Sequence, residues 1–130
     1  MRLSIYSFND LIGSYGIIQF EEGEIGSIYK RVLETSIDGL KNLIESVFKE
    51  EVRGISRASG KLVYRSREVD MVYVRIELDD NREYSLEIYR ESTMVRSNTS
   101  LKETLRDIVM LFKTMEPSLK LRRSLTIAFT

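Results

Sequence analysis

The chain contains no histidine, no cysteine and no tryptophan, and a single proline and a single glutamine in 130 residues. Without His or Cys it has no Cys/His zinc site, no disulfide, no Ser-His or Cys-His nucleophile, and no imidazole to change charge near neutral pH. Carboxylate-only metal sites and Lys or Tyr chemistry survive that exclusion. No window approaches 18 apolar residues, so no membrane span is expected. The start, Met-Arg-Leu-Ser-Ile-Tyr, lacks the apolar core of a signal peptide. The absence of cysteine fits a reducing interior, and the expected location is cytoplasmic. Charge of one sign is also missing: 20 basic residues cancel 20 acidic ones. No net field draws the chain onto nucleic acid or an anionic surface, so such binding needs a local patch. Few amides among many Ile, Val, Glu, Arg and Lys residues fit a thermophilic source, archaeal or archaeal-viral.

What is present is a strongly patterned 42% apolar content. The length and the lack of any linker predict one α+β domain over 1–130. Val72, Val74, Ile76 and Leu78 alternate with Met71, Tyr73, Arg75 and Glu77. After a polar turn, Asp79 to Arg82, residues Tyr84, Leu86 and Ile88 alternate with Ser85, Glu87 and Tyr89. This period of two predicts a three-strand meander over 61–67, 70–78 and 83–90, with one face buried and one wet. A further strand is predicted at 3–8, and a β-hairpin of 15–20 with 25–32 about Glu22-Gly23. Ile37, Leu40, Leu43, Ile44, Val47 and Phe48 form a helical stripe over 37–51. Thr35 or Ser36 supplies its N-cap, and Gly39 permits close packing on the sheet.

Residues 53–60 are expected as a loop, and 94–99 as irregular. Ser100 and Glu103 match a capping box that opens a second helix, which Pro117 ends. Leu125, Ile127 and Phe129 alternate in 121–130, as a last strand or an extended tail. The expected fold is an antiparallel sheet of five or six strands packed with two amphipathic helices.

The order β-β-α-β-β-β-α over about 15–116 resembles the longin, roadblock and profilin-like group. Lys61-Leu62-Val63-Tyr64-Arg65 followed by Met71-Val72-Tyr73-Val74 is similar to the central longin strands, where a basic-aromatic strand precedes an apolar one. The segments Leu3–Phe8 and Arg122–Thr130 depart from the simplest longin plan. The resemblance implies a non-enzymatic module that dimerises or docks onto a GTPase or trafficking-type partner. It carries no functional residue with it.

No catalytic, metal or cofactor-binding residue is assigned. The acidic tip Glu21, Glu22 and Glu24 matches no calcium loop and reads as a solvated turn. Asp70, Asp79, Asp80 and Glu83 sit about an expected hairpin turn, where Asp stabilises the bend itself. Gly60-Lys61 is followed by Leu62, so 54–60 is no P-loop. The basic run Arg53, Arg57, Lys61, Arg65 and Arg67 contains no acid, and Lys61, Arg65 and Arg67 share a parity with the wet face. Arg75, Arg82 and Arg90 add to it, with Tyr73 and Tyr89 interleaved. That surface has three readings. It is a solvated face, a protein-docking face rich in Arg and Tyr, or a base-stacking and phosphate-binding face. Met71 and Tyr73 lie opposite the core parity, so a cover is expected over them. The tail residues Leu125, Ile127 and Phe129, or a second subunit, are its natural source. The expected function is a protein-interaction or scaffold module acting as a homodimer, with nucleic-acid binding by 53–67 as the alternative.

Overall fold

Alternating segments build the sheet and periodic segments its cover. The computed structural model describes residues 2–9, 12–21 and 26–129. Its elements are β1 (Arg2–Asn9), β2 (Ile12–Glu21), α1 (Ser27–Glu34), α2 (Ile37–Phe48), β3 (Val52–Tyr64), β4 (Arg67–Leu78), β5 (Glu83–Ile88), β6 (Ser92–Ser97), α3 (Leu101–Met115) and β7 (Lys120–Phe129). All seven strands belong to one sheet in the order β3-β4-β5-β6-β1-β2-β7.

The sheet is mixed. β1 runs antiparallel to β2 but parallel to β6, with Leu3 opposite Thr93 and Ile5 opposite Val95. The purely antiparallel expectation fails because 92–97, expected in part as irregular, adds a fourth strand to the meander. β5 is antiparallel to β6, so a meander ending at β5 would meet β1 antiparallel; one more strand reverses that sense. β6 was hard to see because two of its core positions are hydroxyls. Thr93 and Ser97 are buried beside Val95. The Ser97 hydroxyl meets that of Thr104 at 2.5 Å on α3, which satisfies it away from water.

Three helices cover the sheet, not two. Residues 25–32, expected as a strand, lie in part outside the described residues and otherwise form α1. Ile28, Tyr29 and Val32 are buried at helical spacing, and that period prevails over strand propensity. The hairpin partner of β2 is β1. Helix α2 is capped by Ser36, whose hydroxyl accepts the Gly39 N–H at 3.0 Å. A Cβ on Gly39 would press at 3.0 Å on Ser36 and Thr35. Gly39 therefore accommodates its own cap, not the sheet. Gly16 makes the close approach to a helix instead, with Leu101 of α3 at 3.2 Å from where its Cβ would stand. Ser100 caps α3 by accepting the Glu103 N–H at 3.2 Å, while the Glu103 carboxylate takes the Thr99 hydroxyl.

Among the described residues the core forms on one side of the sheet. Val32, Leu40, Ile44, Leu111, Phe112 and Met115 from the helices meet Val74, Ile76, Leu86 and Ile88 from the sheet. Leu3, Ile5 and Val95 continue the same cluster across the parallel join. No described helix packs on the other face. The expected loop 53–60 is part of β3, a 13-residue edge strand. β3 and β4 continue past the core as a two-stranded arm: from Gly60 opposite Met71 to Tyr64 opposite Arg67, five residue pairs extend beyond the buried Val72. At about 3.4 Å per residue the arm is roughly 17 Å long. Arg65 (φ 50) and Ser66 (φ 63) turn its tip. Positive φ at both central residues is the two-residue hairpin turn that suits strand twist.

Ile5 stands at the parallel join with no exposure. Ile5→Ala should lower unfolding stability by about 2–5 kcal/mol, measured by urea denaturation, with an unchanged slope against denaturant.

Candidate functional site

The register writes out the uncovered face residue by residue. Ala58, Tyr73, Glu87, Met94, Ser4 and Ile17 are directly opposite one another across six strands. The neighbouring row is Ser56, Arg75, Ser85, Arg96, Tyr6 and Tyr15. Directly opposed residues share a face, so these twelve side chains form one surface. Tyr73, Met94, Tyr6, Tyr15 and Ile17 on it, and Met71 two residues before Tyr73 on the same side of β4, are each half-buried. The Tyr6 and Tyr15 rings pack 4.7 Å apart, tilted 40°. Burial first, and then Tyr15, push the Tyr6 phenol above its ordinary value. Tyr89 donates to Glu87 at 3.3 Å. Burial, followed by that carboxylate, raises the Tyr89 phenol as well.

The small Ser85 leaves a hollow of about 110 Å³ walled by Tyr73, Glu87, Met94 and Arg96. The Tyr73 hydroxyl and Ser85 Oγ are 3.2 Å apart. A shallow depression of about 230 Å³ adjoins it, shares Ser85 and Arg96, and is bordered by Glu83, Ser97 and Asn98. Arg75 reaches Glu77 at 3.1 Å. Arg96 has no hydrogen bond or ion pair among the described residues.

The basic run is divided. Arg53 approaches Glu77 at 3.9 Å and donates to Asn81 Oδ1 at 3.2 Å. Arg57 stands opposite Val74, on the helix side, and donates to the Val32 carbonyl at 2.9 Å and to the Thr35 carbonyl. It thereby closes the C-terminal end of α1. Lys61 pairs with Glu68 at 3.5 Å on the arm. Arg65 is in the turn, its guanidinium 5.3 Å from the centre of the Tyr64 ring. Arg67 lies opposite Tyr64, on the arm face away from Lys61 and Val63. The expected common parity of Lys61, Arg65 and Arg67 therefore does not exist, because the turn at Arg65-Ser66 starts a new strand. Arg82 and Arg90 also leave the face; Arg90 reaches Asp70 at 3.2 Å and stacks on Tyr29 at 5.0 Å. Tyr73, Arg75, Tyr89 and Met71 are the expected site residues that do come together.

The tail takes a definite backbone place. β7 pairs with β2, Leu125 opposite Ile17, Ile127 opposite Tyr15 and Phe129 opposite Gly13. The side chains of Leu125, Ile127 and Phe129, and the acidic tip Glu22 and Glu24, lie outside the described residues. Five strand spacings, roughly 24 Å, separate β7 from β4. The chain's own tail therefore does not reach Met71 and Tyr73.

A larger cavity, about 520 Å³, lies elsewhere, between the end of α2, the β4–β5 turn and α3. Beside it Asp107, buried within α3, accepts from Arg82 at 2.8 Å and from the Tyr84 hydroxyl at 2.6 Å. Arg82 also donates to Asp80 at 2.6 Å and stacks over Phe48 at 5.7 Å. Burial works against the guanidinium charge, but Asp80, Tyr84 and Asp107 outweigh it and raise the Arg82 pKa. Burial, then the Asp107 hydrogen bond, push the Tyr84 phenol far above its ordinary value. These groups satisfy one another and tie three elements together, which is a structural role. An acid at a buried position of the α3 stripe, beside Thr104 and Leu111, was the available signal for it.

Asp107→Ala leaves Arg82 and Tyr84 without their shared acceptor and should cost about 3–5 kcal/mol of unfolding stability, measured by urea denaturation. Tyr84 keeps its proton to higher pH folded than unfolded. Its contribution is complete below the ordinary Tyr pKa of about 10 and is lost as pH rises beyond it. Urea midpoints should fall above about pH 10, and Tyr84→Phe should flatten that fall.

No family model, no curated protein and no solved structure matches this chain.

Proposed function

We propose that the protein is a non-enzymatic interaction module that self-associates through the uncovered sheet face. One observation carries this reading: the helices all pack on one side of the sheet, while the other side carries Met71, Tyr73, Met94, Tyr6, Tyr15 and Ile17 half-buried. Aromatic, Met and Arg side chains are enriched at protein interfaces. A large apolar surface rimmed by charge marks an interaction site on a soluble chain.

A second copy is the occupant favoured by the charge pattern. Glu77 is paired with Arg75 on β4; Glu83 and Glu87 lie on β5, while Arg96 and Arg2 lie on β6 and β1. A two-fold axis pairs any surface with itself, so a face carrying both signs at separate places is self-complementary. Nucleic-acid binding through Arg53, Arg57, Lys61, Arg65 and Arg67 has weaker support. Three of the five have acceptors within the chain, and Arg57 stands on the helix side. Cytoplasmic location and a thermophilic origin are part of the same proposal and rest on composition.

Light scattering after size exclusion should give twice the chain mass at high micromolar concentration. Met94→Glu and Tyr73→Glu should each shift the protein to monomer with unchanged far-ultraviolet circular dichroism. A wild-type monomer at that concentration would refute self-association.

A further inference from the structure

The β3–β4 arm is amphipathic, and its apolar side continues the uncovered face. Gly60, Leu62 and Tyr64, opposite Met71, Val69 and Arg67, form that side. Lys61 and Val63, opposite Asp70 and Glu68, form the other. Leu62 is 44% exposed and Tyr64 63% exposed. A two-stranded ribbon standing alone in water is marginal at best, and no described element covers this one. Its turn places Arg65 at positive φ where Asn or Gly is the usual choice.

We infer that this arm clasps a second copy of the chain, with Tyr64 of each copy seated in the Ser85 hollow of the other. The inference rests on self-association through the uncovered face and names the device that fixes its register. The arm carries a protruding ring, and the face holds a hollow of about 110 Å³ floored by a small residue between Tyr73 and Met94. Along the ribbon, Tyr64 lies eight residues from Ser56, whose row crosses Arg75 to Ser85 two strands away, or roughly 29 Å from the hollow. A two-fold axis in the sheet plane, oblique to the strands and passing midway between Tyr64 and Ser85 near Met71, exchanges the two places and turns the faces toward each other. Both contacts then form twice, as an isologous interface requires.

Charge fits the same arrangement. Glu83 stands directly opposite Glu77, and like charges so placed repel. Glu77 is offset by Arg75 and Arg53. The Glu83 carboxylate has no hydrogen bond or ion pair among the described residues. Arg65 and Arg67 at the arm tip form no ion pair among those residues either. When Tyr64 occupies the hollow, these two cations arrive beside Glu83 and Glu87 of the other copy, two carboxylates against the one Arg96 that also borders the hollow.

The absence of cysteine allows a direct test. Within one chain positions 64 and 85 are too far apart for a disulfide, which needs Cα atoms within about 7 Å. Tyr64→Cys protein mixed with Ser85→Cys protein under mild oxidation should yield a cross-linked heterodimer; neither alone should cross-link comparably. Tyr64→Ala, and Ser85→Trp, which fills the hollow, should each raise the dimer dissociation constant at least about tenfold, measured by sedimentation equilibrium. A wild-type dimer with no 64–85 cross-link and no response to Tyr64→Ala would overturn the clasp and leave self-association standing. A wild-type monomer would overturn both.

Discussion

Everything distinctive here depends on a lopsided cover: seven strands in one sheet, with three helices on the same side. A sheet buries its apolar residues only where something packs on them. On the helix side Val72, Val74, Ile76, Leu78, Tyr84, Leu86 and Ile88 reach full burial. Across the sheet, Tyr73, Glu87 and Met94 alternate with them at the same level and remain half-buried. The strands are the same, and the two faces differ only in what lies above them. The proposed interaction surface is therefore the uncovered half of the sheet rather than a pocket carved into it.

The cover is held at one end by a small polar cluster. Asp107 of α3 binds Arg82 of the β4–β5 turn and Tyr84 of β5, and Arg82 stacks on Phe48 of α2. At the other end Arg57 reaches from the edge strand to the last turn of α1. Arg57 belongs to the basic run and Arg82 to an acidic turn, yet each is committed to a carbonyl or carboxylate of its own chain. Their charges hold the helices on the sheet, and the arm and the uncovered face keep the cations that are free to meet another molecule.

Legibility followed the strength of the periodic signal. The meander strands β4 and β5 and the helices α2 and α3 were plain, because their apolar residues keep a strict period over several turns or pairs. β6 was obscured by Thr93 and Ser97, hydroxyls that reach the core only because Thr104 answers one of them. β3 was obscured because its open-face residues are Ser56, Ala58 and Gly60, small groups that suggest a loop. Its turn at Arg65-Ser66 carries no Asn-Gly signal, so the expected turn of this hairpin falls a few residues later, between 67 and 70. The helix α1 was legible in Ile28, Tyr29 and Val32 but was outweighed by the turn signal before it. Of the candidate surface, Met71, Tyr73, Arg75 and Tyr89 were visible from parity alone. The hollow at Ser85 was not, since it depends on which residues three separate strands bring side by side.

Hydroxyl-radical footprinting across a concentration series tests the central claim most directly. With rising concentration, Tyr73 and Met94 should lose reactivity together, while Met110, exposed on α3, keeps its own. Unchanged labelling of Tyr73 and Met94 up to high micromolar concentration would contradict the account.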